Sequence, residues 1–130
     1  LALYHQGKYS EAIQAYDRAI EINPKLAEAW NNKGNALVDQ GKYDEAIKAV
    51  DKAIEINSQY AEAWFNKGLA LYHQGKYSEA IQAYDRAIEI NPQLAEAWYN
   101  KGNALKLLGR TTEADAAFAK AGELGDNGVE

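Results

Sequence analysis

Leu1–Pro24 reads LALYHQGKYSEAIQAYDRAIEINP, and Leu69–Pro92 repeats it letter for letter. The offset is 68 residues, and a weaker copy lies at half that distance. Gly41–Asn57 (GKYDEAIKAVDKAIEIN) matches Gly75–Asn91 (GKYSEAIQAYDRAIEIN). A fixed period of 34 residues predicts a row of like supersecondary units, each burying its apolar face on its neighbours, rather than a closed globule.

Composition narrows the class. The chain has 130 residues, 47% hydrophobic and 25% charged, which suits one domain with a modest core. No apolar run approaches the roughly 20 residues of a membrane span, and no secretory signal opens the sequence. The formal net charge of −5 speaks against a nucleic-acid partner, since phosphate binding needs a basic stripe. With no Cys, disulfides, thiolate nucleophiles and Cys-based metal sites are excluded together. That suits a reducing interior, and a cytoplasmic location is expected. There is no Met, and the sequence starts in mid-unit, as expected of a piece of a longer array.

Within Ala27–Tyr60, Ala27, Trp30, Gly34 and Leu37 recur at helical spacing, as do Tyr43, Ala46, Ile47, Val50, Ala53 and Ile54. Each set makes one apolar stripe, so the unit is predicted to be two amphipathic helices. Gln40-Gly41-Lys42 separates them, with Gly as the left-handed residue that ends a helix. Ser10, Asp44, Ser78 and Thr112 stand early in second helices, each followed by Glu. Free N–H groups and the helix dipole favour oxygen and negative charge there. Asn23-Pro24 and Asn91-Pro92 mark the exits. No segment alternates with period two, so no strands are predicted. Gly34, Gly68 and Gly102 lie inside first helices, where Gly costs about 1 kcal/mol against Ala. Close approach to second helices lined by Ala46, Ala53, Ala80 and Ala87 is the expected compensation. Trp30, Trp64 and Trp98 are expected to supply large buried area.

These positions resemble the tetratricopeptide repeat. In Ala61–Leu94 the matching residues are Trp64, Gly68, Leu71, Gly75, Tyr77, Ala80, Tyr84, Ala87 and Pro92. The resemblance covers nearly the whole chain. It implies an all-α, right-handed superhelical solenoid of antiparallel helix pairs, one array over residues 1–130. Its units are expected at Leu1–Leu26 (partial), Ala27–Tyr60, Ala61–Leu94 and Ala95–Gly128. Two features depart from the family pattern: Lys33, Lys67 and Lys101 replace the usual Leu, and Ser58 replaces Pro.

The ends differ from the middle. In the last unit Tyr43, Ile47 and Ile54 become Thr111, Asp115 and Gly122. These lie on one helical face, and a polar or small face there is what a terminal cap needs. The array is expected to stop there, with Asp126–Glu130 a frayed tail. At the start, Leu1–Gln6 reads as the tail of a first helix, followed by a second helix at about Tyr9–Ile22. Ile13, Tyr16 and Ile20 are expected to lack cover and to mediate self-association, giving a homo-oligomer through this end.

Nothing in the pattern builds a catalytic centre. The serines read as caps and turns. His5 and His73 are equivalent positions two units apart, too far apart to share a metal. No metal site, cofactor or membrane contact is expected. The recurring Glu21, Glu55 and Glu89 read as solvated outer faces.

The first helix of each unit should line the inner wall of a stacked array. Its outward positions are Glu28, Asn31, Asn32, Asn35, Val38 and Asp39 in one unit. Glu62, Phe65, Asn66, Leu69, Tyr72 and His73 follow in the next, and Glu96, Tyr99, Asn100, Asn103, Lys106 and Leu107 in the last. Tyr4 and His5 continue the wall at the start. Asn is a mediocre helix former, yet Asn32, Asn66 and Asn100 recur every 34 residues. A column of amides can pair with successive peptide groups of an extended ligand. It is similar to the asparagine ladder in the tetratricopeptide region of O-linked GlcNAc transferase. In the alternative, each Asn bonds its own backbone or a neighbouring unit. Asn35 and Asn103 match one position of the carboxylate clamp of heat-shock co-chaperones, but the clamp's cations are absent, so that mode is not expected. The resemblance therefore implies a non-catalytic scaffold for a protein or peptide ligand. Asn32, Asn66 and Asn100 would hold its backbone, Phe65, Tyr72 and Tyr99 its apolar side chains, and Glu28, Glu62 and Glu96 its basic residues. The alternatives are a self-assembly module and the substrate-recruiting arm of a larger enzyme.

Overall fold

The computed structural model describes residues 2–126, with side chains from 7 to 125. Of the expected tail Asp126–Glu130, Asp126 closes a helix and the rest lies outside the described residues, as do the side chains of Tyr4 and His5. Seven α-helices follow one another: α1 (Ala2–Ile22), α2 (Ala27–Asp39), α3 (Tyr43–Ile56), α4 (Ala61–His73), α5 (Tyr77–Ile90), α6 (Ala95–Leu107) and α7 (Thr111–Asp126). Among the described residues there is no strand. α2 pairs with α3, α4 with α5 and α6 with α7, as hairpins. Each second helix also packs on the next first helix, and α2, α4 and α6 touch in turn. The result is an all-α solenoid with first helices forming one wall and second helices the other.

The turns show why the period is strict. Gly41, Gly75 and Gly109 have φ of +80°, +82° and +81°, where a Cβ would be strained. The left-handed step lets the next N–H return to the helix: Lys42 N donates to Leu37 O at 2.9 Å, and Lys76 and Arg110 repeat the bond. At the exits, Asn23, Asn57 and Asn91 each accept, through Oδ1, the N–H two residues on, at 3.2, 3.1 and 3.1 Å. The indole N–H of Trp30, Trp64 and Trp98 donates to the carbonyl of Pro24, Ser58 and Pro92, at 2.9, 3.0 and 3.1 Å. Only the carbonyl is used, which explains why Ser58 can replace Pro.

The helical glycines do mark close approach, but the partners differ from those expected. A Cβ on Gly34 would lie 2.4 Å from Val50 Cγ1, on Gly68 2.4 Å from Tyr84 Cε1, and on Gly102 2.6 Å from Phe118 Cε1. The large residue of the second helix fills the notch, while Ala46, Ala53, Ala80 and Ala87 are fully buried. The capping expectation is also corrected. The N-caps of α3 and α5 are Lys42 and Lys76, with no side-chain cap bond. Asp44 accepts instead from Gln74 Nε2, and Ser10 Oγ from Gln40 Nε2 at 3.2 Å. Each bond ties a second helix to the end of the following first helix.

The largest departure is at the start. Gln6-Gly7-Lys8 is identical to Gln74-Gly75-Lys76, yet α1 runs unbroken through Gly7. The reason is tertiary. α4 folds back on α5 because its 13 residues bury a whole face. Ala2–Gln6 adds less than two turns to α1, and the backbone bonds of a continuous helix run on through Gly7. Residues 2–22 thus form a single helix, whereas the identical residues 70–90 form the end of one helix, a turn and a second helix.

Candidate ligand groove

Across α2, α4 and the start of α6 runs a groove of about 540 Å³, lined by Asn31, Asn32, Asn35, Tyr60, Glu62, Phe65, Asn66, Leu69 and Glu96. Eight of these nine stand in the wall predicted from the first-helix pattern of these units, and Tyr60, from outside a helix, is the exception. The groove brings together Asn32, Asn35, Asn66, Phe65, Glu62 and Glu96. Tyr99 and Asn100 lie in a neighbouring cavity of about 650 Å³ with Ala95, Glu96, Phe118, Ala121 and Gly122. Glu96 lines both. Glu28, Tyr72 and Asn103 line neither: Glu28 is exposed, Asn103 half-buried, and Tyr72 packs edge-on to Tyr77 at 5.4 Å between rings.

The amides are not equivalent. Asn66 is buried, and its Nδ2 donates to Asn31 Oδ1 at 2.9 Å. Asn31 is buried too, and its Nδ2 donates to the Tyr60 hydroxyl at 3.3 Å. This relay joins neighbouring units, so one amide hydrogen of Asn66 is committed within the fold. Asn100 has no such acceptor beside it, because Phe65 stands where Asn31 stands one unit earlier. Asn32 and Asn100 are half-buried and Asn35 is exposed, so their amides face the wall's surface. Val38, placed by its spacing among the outward positions of the inner wall, is buried in the core with Leu37, Ala46 and Ala70. It turns inward because α2 is packed between α1, α3 and α4.

Asn31 and Tyr60 were not legible as a pair from periodicity. Both break it: Asn31 stands where Phe65 and Tyr99 follow, and Tyr60 where Leu26 and Leu94 stand. Two departures in one unit, facing each other, were the available signal.

The groove's charge is one-sided. Among the described residues lining it are Glu62 and Glu96 and no Lys or Arg. Burial pushes the Tyr60 hydroxyl up from its ordinary value; the Asn31 bond opposes this, and Glu28 and Glu62 add to it. The recurring lysines are turned elsewhere. Lys33, Lys67 and Lys101 pair with Asp17, Asp51 and Asp85 of the preceding second helices at 2.7, 2.9 and 2.6 Å. Each ammonium also sits 5.6–5.7 Å from the ring centre of Trp30, Trp64 or Trp98. That geometry accounts for Lys in place of Leu: the stem covers the indole while the charge is held between units.

His73 is exposed and stacks on Tyr43 at 5.2 Å. No cluster of metal-ligating side chains occurs among the described residues. No described helix is long and apolar enough to cross a membrane.

Tetratricopeptide-repeat family models match residues 31–95 and 83–116, and a TPR repeat model matches residues 1–38. No curated protein sequence matches the chain. Among solved structures, one described as MamA protein is 30% identical with a TM-score of 0.81, covering 91% of this chain and 64% of its own. MamA MSR-1 is 26% identical with a TM-score of 0.78, covering 93% and 70%. MamA from Desulfovibrio magneticus RS-1, at 21% identity and a TM-score of 0.84 over 98% and 72%, shares the fold. The chain thus spans about two-thirds of the length of these structures. The period, the glycine turns, the Trp–carbonyl bonds and the family match agree: the chain belongs to the tetratricopeptide repeat family, whose fold is a protein-interaction scaffold.

Proposed function

We propose that this chain is a non-catalytic scaffold whose groove across α2, α4 and α6 holds an extended, basic segment of a partner protein. The supporting observation is the groove itself: amides of Asn32, Asn35 and Asn66 beside Glu62 and Glu96, with no cation in the lining. Amides pair with the ligand backbone whatever its sequence, and the carboxylates select Lys or Arg. Phe65 and Leu69 offer apolar contact between them. Asn100 and Tyr99 continue the same wall into the neighbouring cavity. The acidic groove and net charge disfavour nucleic acid, and a cytoplasmic setting belongs to this reading. The test is binding of a fluorescent lysine-rich peptide to the chain and to the Asn32→Ala/Asn35→Ala/Asn100→Ala variant, which spares the buried Asn66. The variant should keep its helicity and lose at least tenfold in affinity. Unchanged affinity would remove the amides from the mechanism.

A second reading is self-association through α1. α5 and residues 9–22 of α1 carry the same sequence apart from nothing but their setting. Ala80, Ala83, Tyr84 and Ala87 are buried in α5, whereas Ala12, Ala15, Tyr16 and Ala19 in α1 are not. Ile13 packs against the core beside α2, Tyr16 and Ile20 are half-buried, and Ile22 is 85% exposed. A strictly monomeric mass across concentration in sedimentation would dismiss this reading. Either role is open to a chain that serves as the recruiting arm of a larger enzyme.

A further inference from the structure

Beyond the groove, the cavity between α6 and α7 is built differently from its counterparts in the inner units. Gly122 stands where Ile54 and Ile88 stand earlier, and a Cβ on it would meet nothing within 4 Å. Phe118 holds the position of Val50 and Tyr84, both fully buried, but is itself only half-buried. Its ring lies 5.5 Å from that of Tyr99, tilted by 55°, and Tyr99 is 55% exposed. Two rings and a missing side chain thus border an open concavity of about 650 Å³, room for a bulky apolar side chain. The site is also unlike a seat for another unit of the same kind. The series Asp17, Asp51, Asp85 ends at Ala119, so the lysine of a following first helix would find no partner there.

The cavity and the groove meet at Glu96, which lines both. Neither lining holds a cation. The geometry points to an anchor pocket: the partner's extended segment places an aromatic or large aliphatic side chain against Tyr99, Phe118 and Gly122, with a lysine or arginine nearby on Glu96. This inference rests on the groove reading above and adds a specificity element to it. A ligand is then selected by two features together, a run of basic residues and one bulky apolar residue at its end.

Two peptides test it, acetyl-FSKSKSKSF-amide and acetyl-ASKSKSKSA-amide, measured by calorimetry on the chain and on Gly122→Ile. An apolar residue at both ends makes the outcome independent of peptide direction. The aromatic peptide should bind about tenfold tighter or more, the gain for burying one such side chain. Gly122→Ile restores the residue of the inner units and should erase that advantage, so that the two peptides bind the variant alike. Equal affinity of the two peptides on the unsubstituted chain would overturn the anchor and leave the groove standing. No binding of either would overturn the groove reading itself. Concentration-dependent self-association abolished by Gly122→Ile would assign the cavity to a second copy instead and overturn the inference. The peptide comparison on the unsubstituted chain decides the matter even where the variant is unstable.

Discussion

Tyr84 is fully buried, and its hydroxyl finds no hydrogen-bond partner among the described residues. Its ring fills the notch at Gly68 and lies 5.8 Å from Phe65. One unit later, Phe118 fills the notch at Gly102 in the same way. Val50 fills the notch at Gly34 without a ring, so the fold needs bulk at this position and not the oxygen. A hydroxyl buried without a partner costs about 1–3 kcal/mol. Tyr84→Phe removes that cost, less a small loss of packing where the oxygen was. The net expectation is a gain of about 1–2 kcal/mol, or roughly 3–8 °C in melting temperature for a chain of this size. Urea unfolding followed by circular dichroism and by tryptophan fluorescence reads it as a raised midpoint. Alkaline pH gives a second readout. Burial, with a further contribution from Tyr72, pushes the Tyr84 hydroxyl well above its ordinary range. An unfolded Tyr ionises near about pH 10, while the folded one keeps its proton. Above that pH the unfolded state binds fewer protons, so Tyr84 drains stability as pH rises; below it the group contributes no pH dependence. The advantage of Tyr84→Phe should widen above about pH 10. A variant that is destabilised, or one whose alkaline slope matches the parent's, would show that the hydroxyl is satisfied and refute the reasoning.

Two further substitutions test the packing. Gly68→Ala places a Cβ 2.4 Å from Tyr84 Cε1; overpacking of about 1–3 kcal/mol outweighs the helix-propensity gain of about 1 kcal/mol, so the urea midpoint should fall. Gly122→Ala meets open space and should raise it, and a shared sign for the two would contradict this account of the helical glycines. Lys67→Met removes a partly exposed pair with Asp51 but keeps the stem over Trp64, so stability should change by less than about 1 kcal/mol. A larger loss, suppressed by salt, would make these pairs a principal tie between units.

The helix pairs were legible because local chemistry and tertiary need coincide at them. Gly41 and Gly75 demand a left-handed turn, and the apolar stripes on either side demand partners. The start was illegible for the opposite reason. Gly7 carries the same neighbours as Gly75, yet α1 runs through it as helix, and no local signal separates the two. In the groove, Glu62, Phe65, Leu69 and Glu96 stand where their spacing places them, whereas Asn66 is buried and Tyr72 packs on Tyr77. Asn31 and Val38 depart too, because their burial depends on how α2 meets α4 and on a hydroxyl contributed by Tyr60. The Lys33, Lys67 and Lys101 column looked like a departure from the family until Asp17, Asp51 and Asp85 were seen opposite it.

The central claim is that ligand enters between the first helices. Amide chemical-shift mapping of the labelled chain titrated with acetyl-FSKSKSKSF-amide tests it most directly. The account predicts shifts concentrated at Asn32, Asn35, Glu62, Phe65, Glu96, Tyr99 and Asn100, with α3 and the outer face of α5 silent. Shifts confined to the second helices, or to α1, would contradict it.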